Sequence, residues 1–239
     1  MTASAKSSEF GSLTPGAFTP GALARILDHS VLKPEASEAD VRAGAALVER
    51  LRIGFYCVHP AYVSLAVSLV RGVDASVAAV IGFPHGCERT AVKVAAAQIA
   101  VDDGARELDM VLHVGRLKSG AFPAVQADIA AVVQAAPGIP VKVILETAAL
   151  TDDEKRVACR LARDAGAAFV KTSTGFHPAG GATAADVRLM RTEVGPNFGV
   201  KASGGIRTLA DVRTMIEAGA NRIGTSASEA ILAALSQPG

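Results

Sequence analysis

The sequence repeats one pattern eight times from about residue 22: a short β-branched run, a turn, and an alanine-rich amphipathic stretch. The runs predicted to be strands are ILDHSVL (26–32), FYCVH (55–59), SVAAVIGF (76–83), ELDMVLH (107–113), VKVILET (141–147), AFVKTS (168–173), GVKAS (199–203) and NRIGTS (221–226). Strands that alternate with helices pair in parallel through right-handed crossovers. Eight such units favour a closed (β/α)8 barrel over an open doubly wound sheet, since no GxGxxG follows the first strand.

We expect one domain, a barrel over residues 22–239, preceded by a flexible tail over residues 1–21. The tail, MTASAKSSEFGSLTPGAFTPG, is rich in Ser, Thr, Gly and Pro and has no apolar signal core. Its SSEFGS segment could be a cloning remnant. No linker or low-complexity segment follows the tail.

Charge and cysteine usage exclude several classes of protein. The net charge is +1 and no long basic run occurs, so we expect no nucleic-acid partner. Cys57, Cys87 and Cys159 are far apart and form no CxxC pair, which is typical of a reducing, cytoplasmic location. No apolar run reaches the length of a membrane span, so we expect no membrane partner.

Polar residues concentrate where the predicted strands end, which is where barrels carry their chemistry. They are Asp28, His29, Cys57, His59, Asp109, His113, Glu146, Lys171, Ser173, Lys201 and Ser203. Because side chains alternate along a strand, Lys171 and Lys201 both point inward from neighbouring strands. The flanking Val170 and Val200 then face the helices.

Two adjacent buried lysines predict a nucleophilic amine. Each cation disfavours the charged form of the other and burial acts in the same direction, so a lysine pKa can fall from ~10.4 to about 7–8. A neutral amine attacks a carbonyl and forms a Schiff base, and Asp109 is placed to move protons. The alternative is a structural ion pair of Lys171 or Lys201 with Asp109 or Glu146.

Three late loops contain small residues: STG (173–175), SGG (203–205) and GTS (224–226). Backbone N–H groups in such turns bind anions, and the loops after strands seven and eight of barrels commonly bind phosphate. The alternative is that these glycines only permit the turns. We interpret the loops as a phosphate site.

A metal centre is the weaker hypothesis for the five histidines, which come from five different strand ends without HxH or HExxH spacing. Polar residues of the barrel rim are the more common case. We therefore expect neither a metal nor another cofactor.

Six motifs, in order over about residues 23–230, resemble the deoxyribose-phosphate aldolase family. They are LDHSVLKP, CVHP, ELDMVLHVGRLKSG, VKVILETAAL, FVKTSTGF and VKASGGIRT. The resemblance implies a metal-free class I aldolase on a (β/α)8 barrel, which interconverts 2-deoxy-D-ribose 5-phosphate with acetaldehyde and D-glyceraldehyde 3-phosphate in deoxyribose phosphate catabolism. We expect a homodimer.

The same resemblance implies roles for individual residues. Lys171 is the Schiff-base lysine, Lys201 lowers the pKa of its neighbour and assists proton transfer, and Asp109 shuttles protons with an ordered water. Asp28 and Cys57 line the substrate end of the site.

The implied phosphate loops contain Gly175, Gly204, Gly205 and Ser226. The chain departs from the family pattern at Phe176, where some members carry a lysine, and at its C-terminus, which lacks the tyrosine that some members have.

Two other functions remain open from the residues alone. One is a sugar-phosphate binding protein without catalysis, which has no reason to bury two adjacent lysines. The other is an isomerase or synthase, which typically relies on a Glu or Asp base and forms no imine.

Overall fold

The computed structural model describes residues 18–236 as a closed barrel of eight parallel strands in sequential order. The strands are β1 (Leu27–Val31), β2 (Phe55–Val58), β3 (Ser76–Ile81), β4 (Glu107–Val111), β5 (Val141–Ile144), β6 (Phe169–Lys171), β7 (Gly199–Ser203) and β8 (Arg222–Thr225). The predicted (β/α)8 fold is confirmed. Several predicted strands are too long, because their apolar or β-branched pattern continues into the following loop.

Helices connect the strands on the outside of the barrel. They are α1 (Pro20–Ile26), α2 (Glu38–Leu51), α3 (Val63–Leu69), α4 (Thr90–Asp102), α5 (Val114–Lys118), α6 (Phe122–Ala135), α7 (Asp152–Asp164), α8 (Ala184–Val194), α9 (Leu209–Glu217) and α10 (Ser228–Ser236). Capping boxes formed by Ser37, Thr151 and Thr208 begin α2, α7 and α9. None of the helices within residues 18–236 is long and apolar enough to cross a membrane.

Helix α1 begins inside the segment that the sequence analysis assigned to the tail. The Thr19 side chain accepts a hydrogen bond from the Ala22 backbone, Pro20 occupies the first turn, and Leu23 is fully buried. Ile26, predicted as the start of a strand, ends this helix. The remainder of the predicted tail, residues 1–17, lies outside the described residues.

The apolar core lies mainly between the strands and the helices. Leu108, Met110, Val170 and Val200 belong to this layer, as side-chain alternation predicts. A second, smaller cluster fills one side of the barrel interior with Leu32, Cys57, Ala78 and Val80, packed against Phe83. The other side of the interior holds charged side chains from β4 to β8 and β1, and this division places the polar site.

One buried ion pair outside the barrel interior joins α4 to α6. Lys93 Nζ lies 2.7 Å from Asp128 Oδ2 and donates to the Val111 carbonyl at 3.0 Å. Thr90 donates to the other oxygen of the same carboxylate at 2.7 Å. Every polar atom of the pair therefore has a partner, as burial of charge requires.

We expect Gly199→Ala to destabilise the barrel. Gly199 lies opposite Phe169 in the β6–β7 pair, and a Cβ at Gly199 would lie 2.1 Å from the Phe169 ring. Overpacking of this kind costs about 1–3 kcal/mol in the free energy of unfolding, measurable by chemical denaturation. Gly21→Ala is the matched control, because no atom lies within 4 Å of its Cβ position and the residue is in a helix. Equal effects of the two substitutions would contradict the packing argument.

Candidate active site

A cleft of about 690 Å³ opens at the carboxyl ends of the strands. Eight of the predicted site residues line it: Asp28, Cys57, Lys171, Gly175, Lys201, Gly204, Gly205 and Ser226. Asp109, the ninth, is fully buried and does not line the cleft. The fold thus brings the predicted residues of six strands or strand ends to one place.

The two lysines are direct neighbours. Lys171 and Lys201 are register partners in the β6–β7 pair, as predicted from their alternation. The Nζ atoms of both lie 2.7 Å from the same oxygen, Oδ2 of Asp109. The pairing with Asp109 that the sequence analysis left open is therefore present. The alternative partner, Glu146, binds neither lysine among its hydrogen bonds and instead accepts from Thr174.

Lys201 lies between two carboxylates. Its Nζ donates to Asp109 and to Oδ2 of Asp28. Burial by itself lowers the pKa of Lys201, but the charges of Asp109 and Asp28 outweigh burial and raise its pKa above the ordinary value. Lys201 is accordingly protonated at neutral pH. Asp28 Oδ1, the other oxygen, is buried without a hydrogen-bond partner among residues 18–236.

Asp109 is held as a carboxylate. Burial raises the pKa of Asp109, but Lys142, Lys171 and Lys201 outweigh burial and hold the pKa well below its usual range. Lys142 Nζ lies 2.7 Å from Asp109 Oδ1. Asp109 therefore receives three amines and remains ionised at neutral pH.

A second layer of charges, which was not predicted from the sequence, lies beneath Asp109. Lys142 Nζ also lies 2.6 Å from Glu107 Oε2, and Arg222 donates to the same oxygen at 2.9 Å. The sequence contains a signal for Glu107, which precedes Asp109 by two residues and therefore shares its face of the strand. Lys142 is the register partner of Asp109 on the next strand.

The interior network has one more cation than carboxylates. Its members are the cations Lys142, Lys171, Lys201 and Arg222 and the carboxylates Asp28, Glu107 and Asp109. Burial raises the pKa of Cys57 to about 12, so its thiol adds no charge. Lys171 contacts one carboxylate oxygen, which it shares, whereas Lys142 and Lys201 each contact two carboxylates. Lys171 is therefore the least compensated amine of the three.

The glycines of the late loops permit both tight backbone turns and close contact between the loops. Gly175, Gly204 and Gly205 have φ values of 86°, 88° and 82°, a region that favours glycine. A Cβ at Gly204 would lie 3.4 Å from the Gly175 Cα and 3.2 Å from the Ser173 Cβ. The two loops thus pack backbone against backbone where they face the cleft. The turn requirement, which the sequence analysis left as an alternative, is real and is compatible with anion binding.

Two cations at the cleft were also missed from the sequence. Arg207 and Lys33 line it together with the late loops. Arg207 directly follows the SGGI segment, and its position in the chain was the signal that could have identified it. Phe176 is 40% exposed and packs edge-on against Phe83, with ring centroids 5.4 Å apart. Position 176 therefore presents an apolar surface to the cleft.

Glu146 fixes the loop that follows Lys171. It is a buried non-glycine residue with φ 57°, and its Oε1 accepts from the Thr174 N–H at 3.2 Å. A left-handed conformation at such a residue costs of order 1–3 kcal/mol and needs support from its surroundings. The hydrogen bonds to Thr174 provide that support and anchor the loop that carries Gly175.

The histidines make local contacts. His59 donates to the Leu32 carbonyl at 2.9 Å, and His113 and His177 accept from backbone N–H groups two or three residues away. Within residues 18–236, no three His, Cys, Asp or Glu side chains are placed to hold a metal ion together.

Known proteins share both the sequence and the fold of this chain. The sequence profile of the DeoC/LacD family aldolase matches residues 23–233. The chain is 52% identical over 210 residues to a deoxyribose-phosphate aldolase of Macrococcus caseolyticus, covering 88% of this chain and 95% of the relative. It is 51% identical to one of Lysinibacillus sphaericus, covering 87% and 94% of the two chains.

A solved structure agrees with these relatives. The deoxyribose phosphate aldolase from Aeropyrum pernix, described as a tetramer, superposes with a TM-score of 0.85 at 34% identity, covering 92% of this chain and 93% of that one. The expectation drawn from the six motifs is confirmed over nearly the whole barrel. The chain belongs to the DeoC/LacD family of aldolases.

Proposed function

We propose that this aldolase cleaves 2-deoxy-D-ribose 5-phosphate to D-glyceraldehyde 3-phosphate and acetaldehyde through a Schiff base on Lys171, and catalyses the reverse addition. One observation carries the proposal: Lys171 lines the cleft and is the least compensated amine in a buried network with excess positive charge. The neutral form of this amine is the nucleophile of the proposed reaction. The substrate is inferred from the chain's relatives, which are named deoxyribose-phosphate aldolases.

The chemistry follows from a neutral amine at this position. Lys171 Nζ adds to the C1 aldehyde of the open-chain sugar, and loss of water gives a protonated imine. A base removes the proton of the C3 hydroxyl, and the electrons of the C2–C3 bond move toward the imine nitrogen. The C3–C5 fragment leaves as glyceraldehyde 3-phosphate, and the enamine that remains is protonated at carbon and hydrolysed to acetaldehyde.

Asp109, Lys201 and Asp28 provide the proton-handling groups in this proposal. Lys201 is a cation that can donate a proton, and its charge also disfavours a second cation at Lys171. Asp109 is ionised and accepts from both amines, so it connects them for proton transfer. Asp28 Oδ1, which has no partner among the described residues, is free to accept from a substrate hydroxyl at the cleft. Cys57 contributes a neutral thiol to the lining.

The phosphate binds in this proposal at the loops that carry Gly175, Gly204, Gly205 and Ser226. Their backbone turns face the cleft, and Arg207 and Lys33 line it as additional cations. Positive charge near backbone N–H groups is the usual environment of a bound phosphate. The cations at 33 and 207 compensate for the absence of one at position 176.

We also propose that the chain functions as a cytoplasmic homodimer. Val92 and Ile99 on α4 are 55% and 59% exposed, and Phe122 on the adjoining α6 is 38% exposed. Large apolar side chains grouped on neighbouring helices are typical of interaction surfaces. Cys57, Cys87 and Cys159 are all free thiols, which is consistent with a reducing compartment.

Acetaldehyde with borohydride is expected to add one ethyl group irreversibly at Lys171, located by peptide mass mapping. Lys171→Leu should abolish cleavage while the barrel remains folded. Lys201→Arg is the informative comparison: the guanidinium keeps the charge but cannot release its proton, so trapping should persist while turnover falls. Labelling spread over surface lysines, with activity retained in Lys171→Leu, would rule out the assignment.

The 5-phosphate should make 2-deoxyribose a much better substrate, by at least about 100-fold in kcat/KM, because remote binding energy orients the reacting carbons. Arg207→Leu should weaken the preference, and Phe176→Lys should strengthen phosphate binding by placing a cation beside the STG loop. Steady-state kinetics with both sugars measure the preference. Equal kcat/KM values for the two sugars in the parent enzyme would exclude the phosphate site.

The dimer is tested by light scattering coupled to size exclusion. Ile99→Glu, which places a charge in the exposed α4 surface, should convert the parent dimer to a monomer. Glu217→Lys, at the end of α9, is the control for a charge change on another helix. A monomeric parent protein, or an Ile99→Glu variant with unchanged mass, would refute the dimer surface.

A further inference from the structure

We infer that Lys142, which does not line the cleft, is a positioning residue of the aldol reaction: through Asp109 it makes Lys171 the lysine that gives up its proton. The inference rests on the proposed Schiff base at Lys171 and on no assumption about the rest of the substrate. Lys142 lies on β5, is fully buried, and does not line the cleft.

The geometry assigns the two oxygens of Asp109 to different partners. Lys142 Nζ donates to Oδ1 at 2.7 Å. Lys171 and Lys201 are thereby left to share Oδ2, each at 2.7 Å. Lys201 has a second carboxylate in Asp28, but Lys171 pairs with no other carboxylate of residues 18–236. Because Lys142 occupies Oδ1, Lys171 contacts only Oδ2, and it shares that oxygen with Lys201.

The titratable groups around this network come from every strand but β3. Facing it are Asp28 of β1, Cys57 of β2, Glu107 and Asp109 of β4, Lys142 of β5, Lys171 of β6, Lys201 of β7 and Arg222 of β8. Strand β3 contributes Ala78 and Val80 to the interior. His29 points outward to Ser228 and Tyr56, and Glu146 binds Thr174 beyond the end of β5.

Lys142 supplies the excess cation of this set. With Lys142 present, four cations face three carboxylates, and the network balances when one amine is neutral. Without it, three cations face three carboxylates, and the balanced state keeps Lys171 protonated. An uncompensated buried charge is costly, so the network's charge decides which state of Lys171 is favoured. Lys142 is also the strongest of the three lysines that hold down the pKa of Asp109.

The test is the pH midpoint of acetaldehyde trapping at Lys171, measured by rapid borohydride quench and mass spectrometry. In Lys142→Met, the midpoint should rise by about one pH unit, which corresponds to about tenfold less neutral amine at a given pH below it. In Glu107→Gln, which removes a carboxylate from the same network, the midpoint should fall. The opposite signs distinguish a charge effect from general damage to the site.

The double variant Lys142→Met with Glu107→Gln restores an excess of one cation, because three cations then face two carboxylates. Its midpoint should return toward that of the parent enzyme. In Lys142→Met alone, Glu107 loses one of its two cationic partners. The double variant also removes the Glu107 carboxylate, so it keeps the inference testable if Lys142→Met does not fold. An unchanged midpoint in Lys142→Met, or the same midpoint in Glu107→Gln and in the double variant, would overturn the role of Lys142.

Lys93→Met is the matched control. Lys93 is also a fully buried lysine paired with a carboxylate, but its partner Asp128 lies outside the barrel interior. Its loss should lower the thermal midpoint of unfolding and leave the trapping midpoint unchanged. A shift as large as that of Lys142→Met would show that any buried lysine produces the effect and would overturn the inference. Absence of trapping at Lys171 in the parent enzyme would instead refute the proposed function itself.

Discussion

The Asp109 carboxylate is the interaction on which the site depends. It is buried in the barrel, yet it accepts from three lysines, each at 2.7 Å. Burial alone would neutralise an isolated carboxylic acid, and an isolated lysine there would lose its proton. Here the three lysines hold the pKa of Asp109 below its usual range, and the carboxylates of Asp109 and Asp28 hold the pKa of Lys201 above its ordinary value.

Such a network is an inefficient way to stabilise a barrel. Replacement of buried ion pairs by apolar residues of similar volume is often neutral or stabilising. The opposite side of the same interior shows the simpler solution, with Cys57, Ala78 and Val80 packed against Phe83. The charged side is thus best explained by chemistry: it holds one amine, Lys171, at the cleft with fewer carboxylate contacts than Lys142 or Lys201 have.

The loops above the network depend on backbone geometry more than on charge. Gly175 and Gly204 both have positive φ values, and a Cβ at Gly204 would lie tightly against Gly181 and Ser173. Glu146 adopts the same left-handed region without being glycine and is held there by Thr174. The strain at Glu146 and the glycine pair both serve to fix the loop after Lys171 relative to the loop after β7.

The sequence by itself determined the eight-unit barrel, the outward layer of Leu108, Met110, Val170 and Val200, and the neighbourhood of Lys171 and Lys201. These follow from local periodicity, because alternation along a strand and order along the chain fix which side chains become neighbours. The helix at Pro20–Ile26 was missed because a seven-residue segment shows too little periodicity.

Only the tertiary structure determined which charged side chains pair across the barrel interior. Closure brings β1 beside β8, so that Asp28 reaches Lys201, 173 positions away in the chain. It also joins Arg222 to Glu107 across the interior. Sequence spacing carries no information on such contacts, because the partners lie on strands that are not adjacent in the sheet. The choice of Lys171 as the under-compensated amine is a property of that closed arrangement.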